Sequence, residues 1–403
     1  MNNTNTNMPV LRGVRILDMA TVVAGPFAAT LCADLGAEVL KIELPDGSDA
    51  LRGLAPIRDE HALHWKVTNR GKRGITLDVR KPAGRDLFLR LLPQFDVLVE
   101  NFRTGTLARW GLDWATLQAA NPKLTVLRLT GFGQTGPYAE RPGFARIFEA
   151  MSGVANLTGE AAGSPQHMNY PLGDMAAGLF GAFAIAAAMV ERRAQPQAPG
   201  REIDLSATEA LLRLLETLPV EREQLGLVGE RAGARATYTA PSNIYRTSDG
   251  IWLTVVGSSD PIFRRLCEAM ELPQLPLDPR FASNPQRVRN LDEIDGIVAS
   301  WCAKCTHSEV AAKLEEYGVP FSKVYTVADV ETDPHFRARE VIIRLPDSDL
   351  GSIPAPCIVP RFSGAMPKAP AAGPSIGQHN DEVYRGLGLD AEQLEELRAQ
   401  QVI

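Results

Sequence analysis

Gly173-Asp174 stand directly before a continuous apolar run, residues 175–190, that is rich in Ala and Gly. Asp is a preferred N-cap, and starting a helix accounts for the residue by itself. The same position is also chemically useful. A helix amino end favours an ionised carboxylate. Ala176, Ala177, Gly178 and Gly181 leave room for another backbone or a ligand. An ionised carboxylate can act as a nucleophile toward an activated acyl group.

Other constellations are weaker. Gly131-Phe132-Gly133-Gln134-Thr135-Gly136 matches G-x-G-x-x-G after a strand, but Pro137 and Pro142 follow with no apolar periodicity between them. A dinucleotide fingerprint has to open a helix, so a nicotinamide or flavin site is not expected. Cys302-x-x-Cys305 with His307 lacks a second ligand pair at zinc spacing and sits on a helical segment, so the cysteines read as packing residues and no metal is assigned. No Walker sequence occurs. Three basic spots, Arg70/Lys72/Arg73, Arg103/Arg109 and Arg141/Arg146, lie near strand ends. Each alone is a solvated face; together at one sheet edge they suit a small polyphosphate such as a nucleotide or coenzyme A.

The elements that must position these groups alternate. Short apolar strands are predicted at residues 14–17, 38–42, 75–77, 97–99, 126–129 and 201–205. Helices fall at 26–35, 82–92 and 206–217. This pattern favours a parallel sheet covered on both faces, with ligands at the carboxyl ends of its strands. The run 175–190 is shorter than the roughly 18 residues of a membrane span and reads as a helix buried on all sides. Residues 218–239 read as a linker. Residues 243–246 and 251–256 flank Ser248-Asp249-Gly250 as a hairpin, and helices at 261–270, 291–303 and 308–317 complete a smaller α+β unit. Residues 324–403 are expected to pack back on the first unit.

The whole chain has 403 residues, 42 Lys+Arg and 48 Asp+Glu, for a net charge of −6. That acidity argues against nucleic acid as the partner. Five cysteines at irregular spacing form no disulfide framework, which points to a reducing, cytoplasmic setting. Residues 1–10 read as a disordered Asn/Thr-rich tail without signal-peptide character, and residues 367–374 as a Pro/Ala/Gly stretch.

Several blocks, in order, resemble the class III CoA-transferases, the family of formyl-CoA:oxalate and carnitine CoA-transferases. They are Leu11-Arg12-Gly13-Val14-Arg15-Ile16-Leu17-Asp18, Val23-Ala24-Gly25-Pro26, the stretch from Ala33 to Glu43, the stretch from Asn69 to Asp78, Asp96 to Arg103, and Gly131 to Pro137. Pro171-Leu172-Gly173-Asp174 matches the segment with the family's nucleophilic aspartate, and Pro374 to Asn380 its C-terminal signature. The resemblance implies an open, Rossmann-like α/β large domain made of residues 10–220 and 326–403. It also implies an inserted linker and small α+β domain at 221–325, and an interlinked homodimer. It implies transfer of CoA from an acyl-CoA donor such as succinyl-CoA to a small carboxylic acid, a dicarboxylate if Arg146, Arg231 or Arg235 binds a second carboxylate. CoA is then a substrate, with no prosthetic group and no membrane partner. Asp174 would carry the acyl group and then CoA. Val22, Val23 and Ala24 would line the CoA channel. Lys72, Arg73, Asn101, Phe102 and Arg109 would follow the nucleotide and pantetheine path. The family's glycine-rich lid falls near Gly257-Ser258-Ser259, where only one Gly remains. The related α-methylacyl-CoA racemases use a His and an Asp; Phe144 stands where the His would fall and cannot exchange a proton. A non-catalytic acyl-CoA binding protein on the same scaffold is the other alternative, and the retained Asp174 disfavours it.

Overall fold

The computed structural model describes residues 9–363 and 369–403. Most of the expected N-terminal tail and part of the 367–374 stretch therefore lie outside the described residues. Chain contacts define two units. One holds residues up to 154 with 167–224 and 339–403; the other holds 155–166 and 225–338.

The first unit is built on six strands: β1 (Arg15–Asp18), β2 (Glu38–Glu43), β3 (Arg73–Thr76), β4 (Val97–Glu100), β5 (Thr125–Thr130) and β6 (Glu202–Ser206). All neighbours are parallel and the order is β3-β2-β1-β4-β5-β6. Ile16, Leu17, Val97, Leu98 and Val99 are fully buried, as strands covered on both faces require. Chain order reverses between β1 and β4, which opens a crevice beyond their carboxyl ends.

Six helices matter here: α1 (Ala24–Asp34), α2 (Leu63–Thr68), α3 (Pro82–Leu91), α4 (Ala145–Ser152), α5 (Leu172–Ala194) and α6 (Ala207–Leu214). Leu87, Phe88 and Leu91 of α3 fill one core with Ile42 and Ile75, while Ala28 and Ala29 of α1 fill another with Val39, Val97 and Ile185. Gly36, at φ +97°, turns the chain out of α1 into β2.

α5 differs from expectation. It begins three residues before 175, spans 23 residues and is long and apolar enough by composition to cross a membrane. It is not buried on all sides. Gly178 and Gly181 face α1, where an added Cβ would lie 2.8 Å from the Ala24 carbonyl and 3.0 Å from Ala28 Cβ. The opposite face presents Leu179, Phe183 and Val190 to the surface, with Phe183 71% exposed. The small residues served a close helix crossing, which left the large ones outside.

β3 is an edge strand, and the C-terminal segment covers it. Gly74 N–H donates to His379 Nδ1 (3.0 Å), Thr76 N–H to Asn380 Oδ1 (2.9 Å), and Tyr384 hydroxyl to the Thr76 carbonyl (2.6 Å). Asp78 N–H reaches the Val402 carbonyl at 2.8 Å.

The second unit has a three-stranded antiparallel sheet (Ser242–Arg246, Trp252–Val256, Phe321–Lys323) and helices Asp260–Ala269, Leu291–Cys302 and His307–Glu316. Its limits differ from those expected, 220/221 and 325/326. Residues 155–166 join it because Gly233 N–H donates to Gly159 and Arg231 donates to the Gly163 and Asn156 carbonyls. Residues 218–225, expected as linker, form a helix. Cys302 is buried in this unit's core, where desolvation pushes its thiol up to about 12, as befits a packing residue.

Candidate active site

The loop from β1 to α1 holds Val22, Val23 and Ala24, and its backbone is fixed from every side. Asp18, fully buried, accepts from Ala20 N–H (3.0 Å) and pairs with Lys72 Nζ (2.8 Å) and Lys41 Nζ (3.8 Å). Lys41 also donates to the Ala20 carbonyl, and Lys72 to the Pro26 carbonyl (2.7 Å) and Asn69 Oδ1 (2.9 Å). Asn101, just past β4, brackets Thr21: its Oδ1 accepts from the Thr21 N–H and its Nδ2 donates to the Thr21 carbonyl, both at 2.7 Å. Asp49 accepts from Val22 N–H at 3.1 Å. Val22 sits at φ +62°, a conformation that a β-branched residue holds only where its surroundings over-determine it.

Asp174 lies in the first turn of α5, two residues inside its start, rather than at the N-cap, which is Pro171. It is half-buried. Desolvation, with a smaller push from the negative charge of Glu149, raises its carboxyl to about 6. Burial thus makes the carboxyl more basic than a solvated one without neutralising it. A carboxylate of that basicity is still largely ionised at neutral pH and is a stronger nucleophile than a solvated one.

Val22 and Val23 meet this turn directly, packing with Leu51, Ala62, Trp65 and Met175 in one apolar cluster. Ala24 lies against Gly178. Val22, Val23 and Ala24 are therefore brought to the helix turn that carries Asp174. Asn101 and Phe102 stand at the same crevice. Phe102 lines a cavity of about 120 Å³ with Met19, Leu77, Val79, Arg80 and Trp110, at the carboxyl ends of β1 to β4. Its ring packs edge-on against Trp110, 5.0 Å between centroids.

Lys72 and Arg73 are not part of that group. Both stand at the amino end of β3, whereas the cavity lies past its carboxyl end. The Lys72 ammonium is saturated by the contacts above, and burial lowers it to about 8. Arg73 pairs with Glu382 at 2.8 Å. Arg70 is likewise consumed by a bidentate pair with Asp34. The cations on the crevice side are Arg80, which pairs with Asp78, and Arg109, which is exposed and donates to Thr106 Oγ1 at 2.7 Å. Leu77, Val79 and Arg80 were missed in the sequence. The basic cluster at 70–73 stands at the opposite end of the strand they follow.

Sequence reasoning also missed two groups near Asp174. Glu149 of α4, 1% exposed, accepts from Gly173 N–H (3.2 Å) and from His167 Nδ1 (2.7 Å). His64 of α2 stacks near Tyr170, 6.2 Å between centroids, and its buried Nε2 has no hydrogen-bond partner among the described residues. Phe144 precedes α4 and is 73% exposed.

Several of the other glycines and arginines singled out in the sequence have structural partners. Gly131 and Gly143 make room for the Phe148 ring, and the amide of Gln134 is held by Asp204. Arg235 is engaged by Asp292 (2.5 Å) and Asp295 (3.4 Å). The 257–259 loop is pinned: Gly257 N–H donates to the Pro241 carbonyl and Arg287 donates to the Ser258 carbonyl.

Comparison with known proteins agrees with this architecture. The profile described as CoA-transferase family III matches residues 11–380. Succinyl-CoA–D-citramalate CoA-transferase of Chloroflexus aurantiacus is 40% identical over 98% of both chains. The alpha subunit of succinyl-CoA–L-malate CoA-transferase of Chloroflexus aurantiacus is 37% identical over 98% of this chain and 92% of its own. The crystal structure of a CAIB/BAIF family protein from Brucella suis superposes with a TM-score of 0.82 at 33% identity, covering 94% of this chain and all of the other. With a parallel sheet reversing at β1 and β4, and a match over nearly its full length, the chain belongs to CoA-transferase family III.

Proposed function

We propose that the protein moves CoA from succinyl-CoA to a small dicarboxylic acid, with Asp174 as covalent carrier. The observation that carries this reading is the half-buried carboxylate of Asp174 packed, through Met175, against the pinned Val22-Val23 loop. One Asp174 oxygen attacks the thioester carbonyl carbon; the C–S bond breaks, and the thiolate leaves with its electron pair to give a mixed anhydride. The thiolate then attacks Cγ of Asp174, the anhydride C–O bond breaks, and the donor acid departs as carboxylate. The acceptor carboxylate attacks the resulting aspartyl thioester, CoA leaves as thiolate, and it returns to the acceptor carbonyl to free Asp174. No proton is gained or lost in the cycle, so an ionised carboxylate is required and a general base is not.

The CoA nucleotide is seated in the slot of Met19, Leu77, Val79, Phe102 and Trp110, with Arg80 and Arg109 supplying charge for phosphates. Pantetheine runs past Val22, Val23, Ala24 and Asn101 toward Asp174. Lys72 acts as a buried anchor of that loop, and Arg73 as a tie to the C-terminal segment. The named relatives take citramalate or malate, which supports a hydroxylated dicarboxylate as acceptor. The racemase reading lacks a proton carrier at Phe144. We further propose a homodimer in which the exposed Leu179, Phe183 and Val190 face of α5 is covered by a second copy, since an unpartnered apolar stripe of this length marks an interface.

Incubation with succinyl-CoA and a panel of acids, read by mass spectrometry, tests the substrates. Hydroxylamine added during turnover should convert Asp174 to its hydroxamate. Unmodified Asp174 in an enzyme that turns over would overturn the covalent role.

A further inference from the structure

We propose that the Glu149–His167 pair positions Asp174 and sets its charge environment so as to favour the covalent intermediates. The proposal rests on Asp174 being the nucleophile.

The geometry is specific. Gly173, the residue before Asp174, is seated on α4: an added Cβ would lie 3.0 Å from the Ala145 carbonyl, and its N–H donates to Glu149 Oε1. The other Glu149 oxygen accepts from His167, which is joined to α5 by a short stretch of chain. The turn that carries Asp174 is therefore hydrogen-bonded to α4 through the Glu149 side chain.

Positioning alone does not call for a charge. A glutamine at 149 would accept from Gly173 with its oxygen and meet the His167 ring with its amide, at a lower desolvation cost than a buried carboxylate. What only a carboxylate adds is repulsion of Asp174. That repulsion acts on Asp174 when it is a free anion. It is relieved at position 174 when Asp174 is an anhydride or a thioester, because the charge has passed to the CoA thiolate in the first and to the departing donor carboxylate in the second. A fixed charge at 149 thus raises the free carboxylate relative to both covalent states, and the intermediates accumulate more readily. The upward shift of Asp174, to which Glu149 contributes, is the same effect seen through the proton.

Other charged groups on the packed elements are differently disposed. Arg146 on α4 is exposed, as are Glu209 and Arg213 on α6. Glu191, Arg192 and Arg193 lie at the far end of α5, Asp34 of α1 pairs with Arg70, and Arg128 of β5 is held by Glu100 and Glu202. His64 on α2 stacks near Tyr170 and is lowered by burial.

The test compares the full-length enzyme with Glu149→Gln and His167→Leu. Two quantities are measured with succinyl-CoA: the acid limb of kcat/KM, and the fraction of protein carrying CoA on Asp174 at equilibrium, by intact-protein mass. In Glu149→Gln the acid limb should fall by about half a unit or more, and the covalent fraction should drop roughly threefold, the same free energy read twice. In His167→Leu the acid limb should rise, because Glu149 loses the donor that offsets its charge. If the parent enzyme carries no adduct on Asp174, the nucleophile reading itself fails. If the parent carries it, yet neither variant moves the limb or the covalent fraction, Glu149 is structural only and the inference is overturned. Loss of activity with an unmoved acid limb also overturns it.

Discussion

Asn101 and Thr21 are joined by two hydrogen bonds of 2.7 Å, one in each direction, across 80 positions of sequence. They tie the carboxyl end of β4 to the loop leaving β1, the two strands between which the sheet reverses. Asn101→Ala leaves the half-buried Thr21 backbone without these partners, at about 1–3 kcal/mol. The expected outcome is a loss of about tenfold or more in kcat/KM for succinyl-CoA, mostly in KM, since the loop would no longer be held in its binding shape. Steady-state kinetics at saturating acceptor checks this. An unchanged KM would mean that the loop is held without the clamp.

Asp174→Asn should abolish transfer and also stabilise the fold. Burial raises the folded carboxyl to about 6, against an ordinary 3.8. A raised folded value contributes stability that is complete below the unfolded value and lost as pH rises through 6. Above that, ionised Asp174 costs about 1–3 kcal/mol. Thermal unfolding should therefore show a gain for Asp174→Asn at about pH 8 that shrinks toward about pH 4. Equal gains at both pH values would contradict the assignment of the cost to ionisation.

Gly178→Ala puts a Cβ 2.8 Å from the Ala24 carbonyl. α1 and α5 must part, at about 1–3 kcal/mol. The melting temperature should fall, and turnover should fall with it, because the same displacement moves Asp174 away from the Val22-Val23 loop. Stability and kcat measured together distinguish this from a purely local clash, which would lower the first alone.

Phe183→Asp places a charge on the exposed apolar face of α5. Mass photometry and light scattering should show loss of the dimer or of soluble protein. A variant with the parent's mass and melting curve would place that face outside the interface.

Much of this fold was legible because its determinants are local. Each β-branched run became a strand within about two residues of its expected limits, and Pro82 starts α3 as its fixed φ allows. Asp174 stands out as a carboxylate before an apolar run, but starting a helix accounts for that pattern equally well, and its proposed role came from the family resemblance. What was not legible depends on partners far away. Lys72 reads as a surface cation until Asp18, Asn69 and the Pro26 carbonyl close around it. Glu149 reads as an ordinary polar residue and His167 only as a histidine close in sequence to Asp174, and it is the fold that brings the two together. The slot around Leu77 and Val79 exists only because four strands end side by side.

The closing of β3 by residues 379, 380 and 384 sets an order of events in synthesis. The amides of Gly74 and Thr76 leave the ribosome long before the side chains that satisfy them, 304 positions later for Thr76 and Asn380. At ordinary translation rates that interval is roughly 15–60 s. Throughout it the growing chain carries an unpaired strand edge of the kind that recruits other chains. Yield of soluble protein should therefore respond to holdase chaperones acting on the nascent chain more than to any change at the active site.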